Sequence, residues 1–291
     1  MRLVAFAFPG EGSGARLGRL GPDGITDLTE AVGSDLSALL ASGAQLAGVV
    51  GPLVDPAGVT PRAPLPRPGK IICVGLNYLD HCREQGIQPP DYPMLFSKFP
   101  NAVSHPGQAV MRPRATEKLD LECELAVVIG RRAKSIGRGN AMERVFGYTI
   151  LNDVTMRDLQ REDKQWLRAK GSDGFAPMGP VVVTRDEIPD PQRLRLGSSV
   201  NGETWQDSTT AEMIFDVATV VAFVARTITL EPGDVIATGT PAGVGHFQDP
   251  PRYLQPGDIM RCQIEGIGEI ENRVVDEQPR IDDHAAAAGL P

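Results

Sequence analysis

Five prolines fall within VDPAGVTPRAPLPRPGK (54–70). Proline has no N–H to donate and a fixed φ, so a run this dense breaks any helix or sheet that enters it. The chain is therefore expected to divide there. A small β-rich N-terminal domain is placed at 1–66, a main domain at 67–276, and a flexible tail at 277–291. Composition supports a strand- and turn-rich fold: 32 Gly and 25 Pro stand against only 5% aromatic residues. Helical bundles tolerate few such breakers. The 41% hydrophobic content is enough for a sizeable core.

Local patterns fill in this outline. Residues 2–8 and 15–28 read as short strands with a turn at Pro22-Asp23-Gly24, and 34–42 as a short helix. In the main domain, strands are expected at 70–76, 93–99, 119–130, 147–154 and 176–184. A short helix is expected over 77–85 with Asn77 as its N-cap. A longer one is expected over 155–169 and an apolar one over 216–227. The segment 193–208 carries Asn201-Gly202 at its centre, a strong signal for a two-residue hairpin turn. Strands at 230–240 and 254–275 close the domain, each entered through a Pro-Gly-Asp turn.

Charge narrows the function. The net charge of −8 is unfavourable for binding phosphodiester backbones or anionic membrane surfaces, so no nucleic-acid or membrane partner is expected. No run of 18 apolar residues exists, and the opening apolar stretch stops at Pro9-Gly10, too short for a signal segment. The four cysteines form no CxxC pair or zinc-like cluster and are expected to be reduced in a cytoplasmic protein.

The chemistry concentrates in a few acidic and basic positions. In an extended Glu122-Cys123-Glu124, both carboxylates project from one face. Beside the apolar run LAVVIG they repel each other unless a cation compensates, though two surface glutamates on an edge strand would look the same. Asp153 at the end of the strand TILND supplies a third carboxylate. Three oxygen donors without His or Cys suit Mg²⁺ or Mn²⁺. Arg157 and Gln160 follow at helical spacing and can grip a substrate carboxylate; a solvated helix face is the structural alternative. His81 and Glu84, spaced i, i+3, form a candidate general base with its orienting acid. Lys170 either points into a site or caps its helix. ATGTPAGVG (237–245) is a Gly-rich turn that lacks the Gly-Lys-Ser/Thr of a phosphate loop.

Taken together, the segments VGLNYLDHCREQG, FSKFPNAVSHPG, LDLECELAVVIG, GYTILNDVTMRDLQ, KGSDGFAPMGPVVVT, VNGETWQDSTTAEMIFDV, LEPGDVIATGTPAGVG and LQPGDIMRCQIEGIG resemble the fumarylacetoacetate hydrolase family, in the family's order over nearly all of 70–275. The resemblance implies an α+β, predominantly β fold, a mixed β-sandwich roll, assembled as a homodimer. It implies Mg²⁺ or Mn²⁺ held by Glu122, Glu124 and Asp153, substrate contacts from Arg157, Gln160 and Thr240, and catalytic roles for His81, Glu84 and Lys170. Many relatives carry a KSFDTFxPLGP-type segment where this chain has KGSDGFAPMGP, so the loop after Lys170 is expected to shape a different pocket. The implied activity is metal-dependent hydrolysis of a C–C bond in a small 2,4-dioxo acid through a pyruvate enolate. The same scaffold would also serve a 2-oxo acid decarboxylase or an enol–oxo isomerase.

Overall fold

The computed structural model describes residues 1–11 and 14–278. Most of the tail expected at 277–291 lies outside the described residues. The chain opens with β1 (Arg2–Ala7), β2 (Arg16–Gly21), β3 (Gly24–Asp27), the short helices α1 (Thr29–Val32) and α2 (Leu36–Ser42), β4 (Leu53–Val54) and β5 (Thr60–Arg62). β6 (Ile71–Gly75), α3 (Leu79–Gln85), β7 (Met94–Lys98), β8 (Val103–Ser104), β9 (Val110–Arg112) and β10 (Leu119–Asp120) follow. The centre is β11 (Cys123–Ile129), β12 (Val145–Asn152), β13 (Thr155–Met156), α4 (Arg157–Glu162), α5 (Leu167–Lys170) and β14 (Ala176–Thr184). The remainder is β15 (Arg195–Val200), β16 (Glu203–Thr209), α6 (Val217–Thr227), β17 (Val235–Ala237), β18 (Ile259–Ile264) and β19 (Gly268–Asp276).

Twelve strands join one mixed sheet with the path β4-β3-β2-β1-β14-β12-β11-β17-β6-β7, with β5 on β1 and β8 on β14. Five form a second sheet, β16-β15-β18-β19-β9, and β10 pairs with β13. The result is predominantly β with short helices, as expected. The Pro-rich run behaves differently from its reading: Pro61 lies inside β5, which pairs with β1. Proline is tolerated there because β5 is a short strand off the main path of the sheet. β1 also pairs antiparallel with β14, so the sheet runs on through the N-terminal strands.

The apolar run of β11 is buried on both faces, and alternation sorts its side chains into two cores. Leu125, Val127 and Ile129 pack into one with Tyr148, Val183 and, from the second sheet, Leu196, Met260 and Val274. Ala126 and Val128 pack into the other with Leu151, Val182 and, from α2, Leu36 and Leu39. The long sheet is thus the middle layer between the second sheet and the N-terminal helices. That position explains a continuous hydrophobic strand in place of an alternating one. Each fully buried Leu or Val here contributes about 1.5–3 kcal/mol of hydrophobic stabilisation.

Several local expectations need correction. The strand expected at 119–130 is interrupted at Leu121 and Glu122. Asn77 does not cap α3, whose N-cap is Tyr78 without a side-chain bond. Asn77 instead donates to the carbonyls of Phe215 and Thr238 and accepts from the Phe215 N–H, tying three segments together. The helix expected at 155–169 is two short helices, broken near Lys164, whose φ is 57°. The strand expected at 230–240 is regular only over Val235–Ala237, and 254–275 folds as the hairpin β18–β19. The hairpin at Asn201-Gly202 is as expected, with positive φ at both residues (52° and 83°).

Candidate metal centre and active site

The register between β11 and β12 builds the acidic cluster. Cys123 pairs with Asn152 and Glu124 with Leu151. One step beyond the ladder, the Asp153 N–H donates to the Glu122 carbonyl at 2.8 Å. Glu122 and Asp153 are therefore cross-strand neighbours, and Glu124 is the diagonal neighbour of Asp153 on the same face. The three carboxylates lie with one ligand oxygen each within 4.8 Å of the others, and all are buried. Cys123 faces the opposite side, with its thiol toward the Gln263 carbonyl.

Three cations compensate part of this charge. Lys170 Nζ donates to Glu122 Oε2 (2.9 Å), Asp153 Oδ2 (2.7 Å) and Thr155 Oγ1 (2.8 Å). It points into the site and does not cap α5. Arg157 Nη1 stands 2.7 Å from Glu122 Oε1, and its Nε donates to Asp120 Oδ2 at 2.8 Å. Lys98 donates to the carbonyls of Val154, Lys170 and Phe175. Its Nζ stands 2.6 Å from Asp153 Oδ1. An ammonium has three donors, and the three carbonyls take them, so this is a charge contact. Asp153 Oδ1 accordingly has no partner with hydrogen-bond geometry.

The electrostatics of the three acids diverge. Burial opposes the charge on Glu122, but Lys170 and Arg157 outweigh it and hold its carboxyl down at about 2. Burial, reinforced by Asp153 and Glu122, pushes Glu124 well above the usual carboxylate range. Its one hydrogen bond of note is from the Gly239 N–H at 2.8 Å. Burial opposes the charge on Lys170 too, yet Asp153 and Glu122 raise it above the ordinary lysine value. An acid without an ion-pair partner, next to a carboxylate oxygen whose one contact is the charge of Lys98, is what a hard divalent cation would satisfy. The donor set fits such an ion.

A pocket of about 260 Å³ opens over the cluster, lined by Glu122 and Glu124 together with His81, Gln160, Lys170 and Thr240. His81 and Glu84 sit on α3, with Nδ1 and Oε1 2.5 Å apart. The second oxygen of Glu84 accepts from the Gly243 N–H at 2.8 Å, so the acid is anchored to the Gly-rich turn. Arg157 also lines the pocket and donates to Gln160 Oε1 at 3.1 Å. These two share a helix face, whereas Asp153 precedes β13 and is not on it. Thr240 Oγ1 donates to the Cys123 carbonyl and accepts from Gln206 Nε2. The structure thus brings all nine sequence-derived residues to one locality.

Two contributors escaped the sequence reading. Lys98 is 2% exposed at the end of the strand MLFSK, and a lysine between Phe96 and Phe99 was the available signal. Asp120, fully buried two residues before Glu122, accepts from Arg157 and from the backbone of Gly245 and His246. Its spacing pointed toward the cluster, but its partners are remote in sequence.

The sequence matches the fumarylacetoacetate (FAA) hydrolase C-terminal family over residues 70–275. It is 46% identical over 226 residues to a mitochondrial oxaloacetate tautomerase of Bos taurus, covering 77% of this chain and 72% of that protein. A fumarylacetoacetate hydrolase from psychrophilic Exiguobacterium antarcticum superposes with a TM-score of 0.86 at 41% identity, over 95% of this chain and all of that one. Maleylpyruvate hydrolase from Sphingobium sp. SYK-6, solved with manganese(II) and pyruvate, superposes at 0.78 with 31% identity, over 96% of this chain and all of that one. On the family match over residues 70–275 and these likenesses, this chain is a member of the fumarylacetoacetate hydrolase family.

Proposed function

We propose that this chain is a Mg²⁺- or Mn²⁺-dependent enzyme that moves a proton on a small 2-oxo acid, and that its leading reaction is keto–enol tautomerisation of an oxaloacetate-like substrate. The observation that carries the reading is the His81–Glu84 pair, with Nδ1 and Oε1 2.5 Å apart, whose His81 lines the same pocket as Glu122 and Glu124 of the carboxylate cluster. A divalent cation held by Glu122, Glu124 and Asp153 would supply Lewis-acid stabilisation of a developing enolate. Glu84 orients the His81 ring, and His81 takes or returns the proton. A positioned general base of this kind contributes about 10²–10⁴-fold. Arg157 and Lys170 set the local positive charge for the substrate's carboxylate, and Gln160 and Thr240 offer neutral contacts on the pocket wall. The choice of tautomerisation rests on the 46% identity to an oxaloacetate tautomerase.

The second reading is C–C hydrolysis of a 2,4-dioxo acid, the activity that the family resemblance implies first. It is favoured by the likeness to maleylpyruvate hydrolase and by the ability of the same dyad to activate a water. A homodimer is proposed on the family resemblance, and sedimentation would test it.

One set of assays separates the readings. Purified protein with Mn²⁺ or with excess chelator is given enol-oxaloacetate, followed by its ultraviolet absorbance, and acetylpyruvate, followed by pyruvate release. Metal-dependent loss of enol without pyruvate supports tautomerisation, whereas metal-dependent pyruvate from acetylpyruvate supports hydrolysis. Failure to accelerate either reaction beyond a His81→Ala control would overturn both.

A further inference from the structure

One wall of the pocket carries a group that the chemistry above does not use. His246 lines the same pocket as Glu122 and Glu124, on the segment that follows the Gly-rich turn. Its backbone is fixed: the Gly245 and His246 N–H groups donate to the two oxygens of buried Asp120 at 2.9 and 3.0 Å. Its ring is fixed as well, because Nδ1 lies 2.9 Å from the Tyr253 hydroxyl. With Tyr253 donating, the other ring nitrogen keeps the proton and is left as a donor. Burial, and the positive Arg157 nearby, lower His246 below the ordinary histidine range, so the ring is neutral at pH 7.

The surroundings favour an anion. Arg161, exposed at the rim, also lines the pocket, and among the described residues no acidic group stands within ion-pair distance of it. Lys118 lies 5.8 Å over the Tyr253 ring, and both Lys118 and Arg161 act electrostatically on His246. Among the described residues many other arginines are matched with a carboxylate, as Arg168 is with Asp163 and Arg252 with Glu203. A cation without such a partner at a pocket wall, beside a preoriented neutral donor, is suited to a carboxylate brought by a ligand.

We propose that His246 and Arg161 form the subsite for the second carboxylate of the substrate, so that the pocket selects dicarboxylic over monocarboxylic 2-oxo acids. Tyr253 is a positioning residue for it. The inference rests on the proposed function, because the 2-oxo acid end must sit at the acidic cluster for the far end to reach this wall.

The test is a binding measurement on the Mn²⁺-loaded protein. Isothermal titration compares 2-oxoglutarate with 2-oxopentanoate, which has a methyl group in place of the distal carboxylate. The wild type should prefer 2-oxoglutarate. The double variant His246→Ala/Arg161→Ala should lose about 10–100-fold in 2-oxoglutarate affinity, the equivalent of one or two charge-assisted hydrogen bonds. It should bind 2-oxopentanoate as the wild type does, which also establishes that it is folded. Tyr253→Phe should lose part of the discrimination and leave 2-oxopentanoate binding unchanged. If both ligands bind and the double variant discriminates as the wild type does, the subsite is refuted while the 2-oxo acid reading stands. If neither ligand binds the loaded wild type, the 2-oxo acid reading itself is refuted and the subsite with it.

Discussion

Lys98 Nζ stands 2.6 Å from Asp153 Oδ1, with both side chains fully buried. Removing one partner of a buried pair typically costs about 3–5 kcal/mol, and loss of Lys98 costs part of that because Lys170 still faces Asp153 Oδ2 at 2.7 Å. Lys98→Met should therefore unfold at markedly lower denaturant concentration than the wild type when metal is absent. Mn²⁺ should restore much of the difference, since a cation beside Asp153 replaces the missing charge. Equal metal-free stability of variant and wild type would show that Lys98 does not support the cluster.

Glu124 responds in the opposite sense. Burial, then Asp153 and Glu122, raise its carboxyl well above the ordinary glutamate value of 4.5. A folded state that raises an acid's pKa prefers it protonated. Its favourable contribution is complete below about 4.5 and disappears as pH climbs through the raised value. Glu124→Gln should thus stabilise the metal-free protein at neutral pH, on the order of 1 kcal/mol, and flatten that decline. The same variant should lose more Mn²⁺ affinity than the roughly 10–100-fold typical of residues one layer out from a metal. Paired denaturant and Mn²⁺ titrations across pH check both effects, and an unchanged Mn²⁺ affinity would remove Glu124 from the ligand set.

Glu84 accepts at both oxygens, from His81 and from the Gly243 N–H. Glu84→Gln should slow turnover substantially, and His81→Ala by about 10²–10⁴-fold. Mn²⁺ affinity should be unaltered in both. A fall in metal affinity with either variant would place the dyad in the metal centre and deny it the role of a base.

Gly239 lies at φ +94°, and an added Cβ would stand 2.9 Å from both Asn77 Cβ and the Val74 carbonyl. Its N–H is the donor to Glu124. Gly239→Ala should cost about 1–3 kcal/mol through backbone strain and should weaken Mn²⁺ binding by displacing that donor. Wild-type affinity in a folded Gly239→Ala protein would mean that the turn does not position Glu124.

Much of this site was legible in the order of residues. Three oxygen donors, a histidine with an acid three residues on, and an arginine near them name a chemistry whatever the fold. The hairpin at Asn201-Gly202 and a strand over the apolar run that follows Glu124 were equally readable, because turn conformation and hydrophobic runs are local properties. Local reading failed where distant segments overrule it. Asn77 is a plausible helix cap by sequence but is used to bridge Phe215 and Thr238, and the expected helix over 155–169 breaks near Lys164.

The sequence by itself determined the donor chemistry, the short-range turns and the alternation that sorts the central strands into two cores. Only the tertiary structure decided which charges meet. Glu122 and Asp153 become neighbours through the β11–β12 register, and Lys98, Lys170 and Arg157 reach them from three separate segments. Whether a buried carboxylate is held down, as Glu122 is, or driven up, as Glu124 is, depends on cations a few ångströms away. Electrostatic energy depends on separation in space and on burial, and spacing along the chain specifies neither.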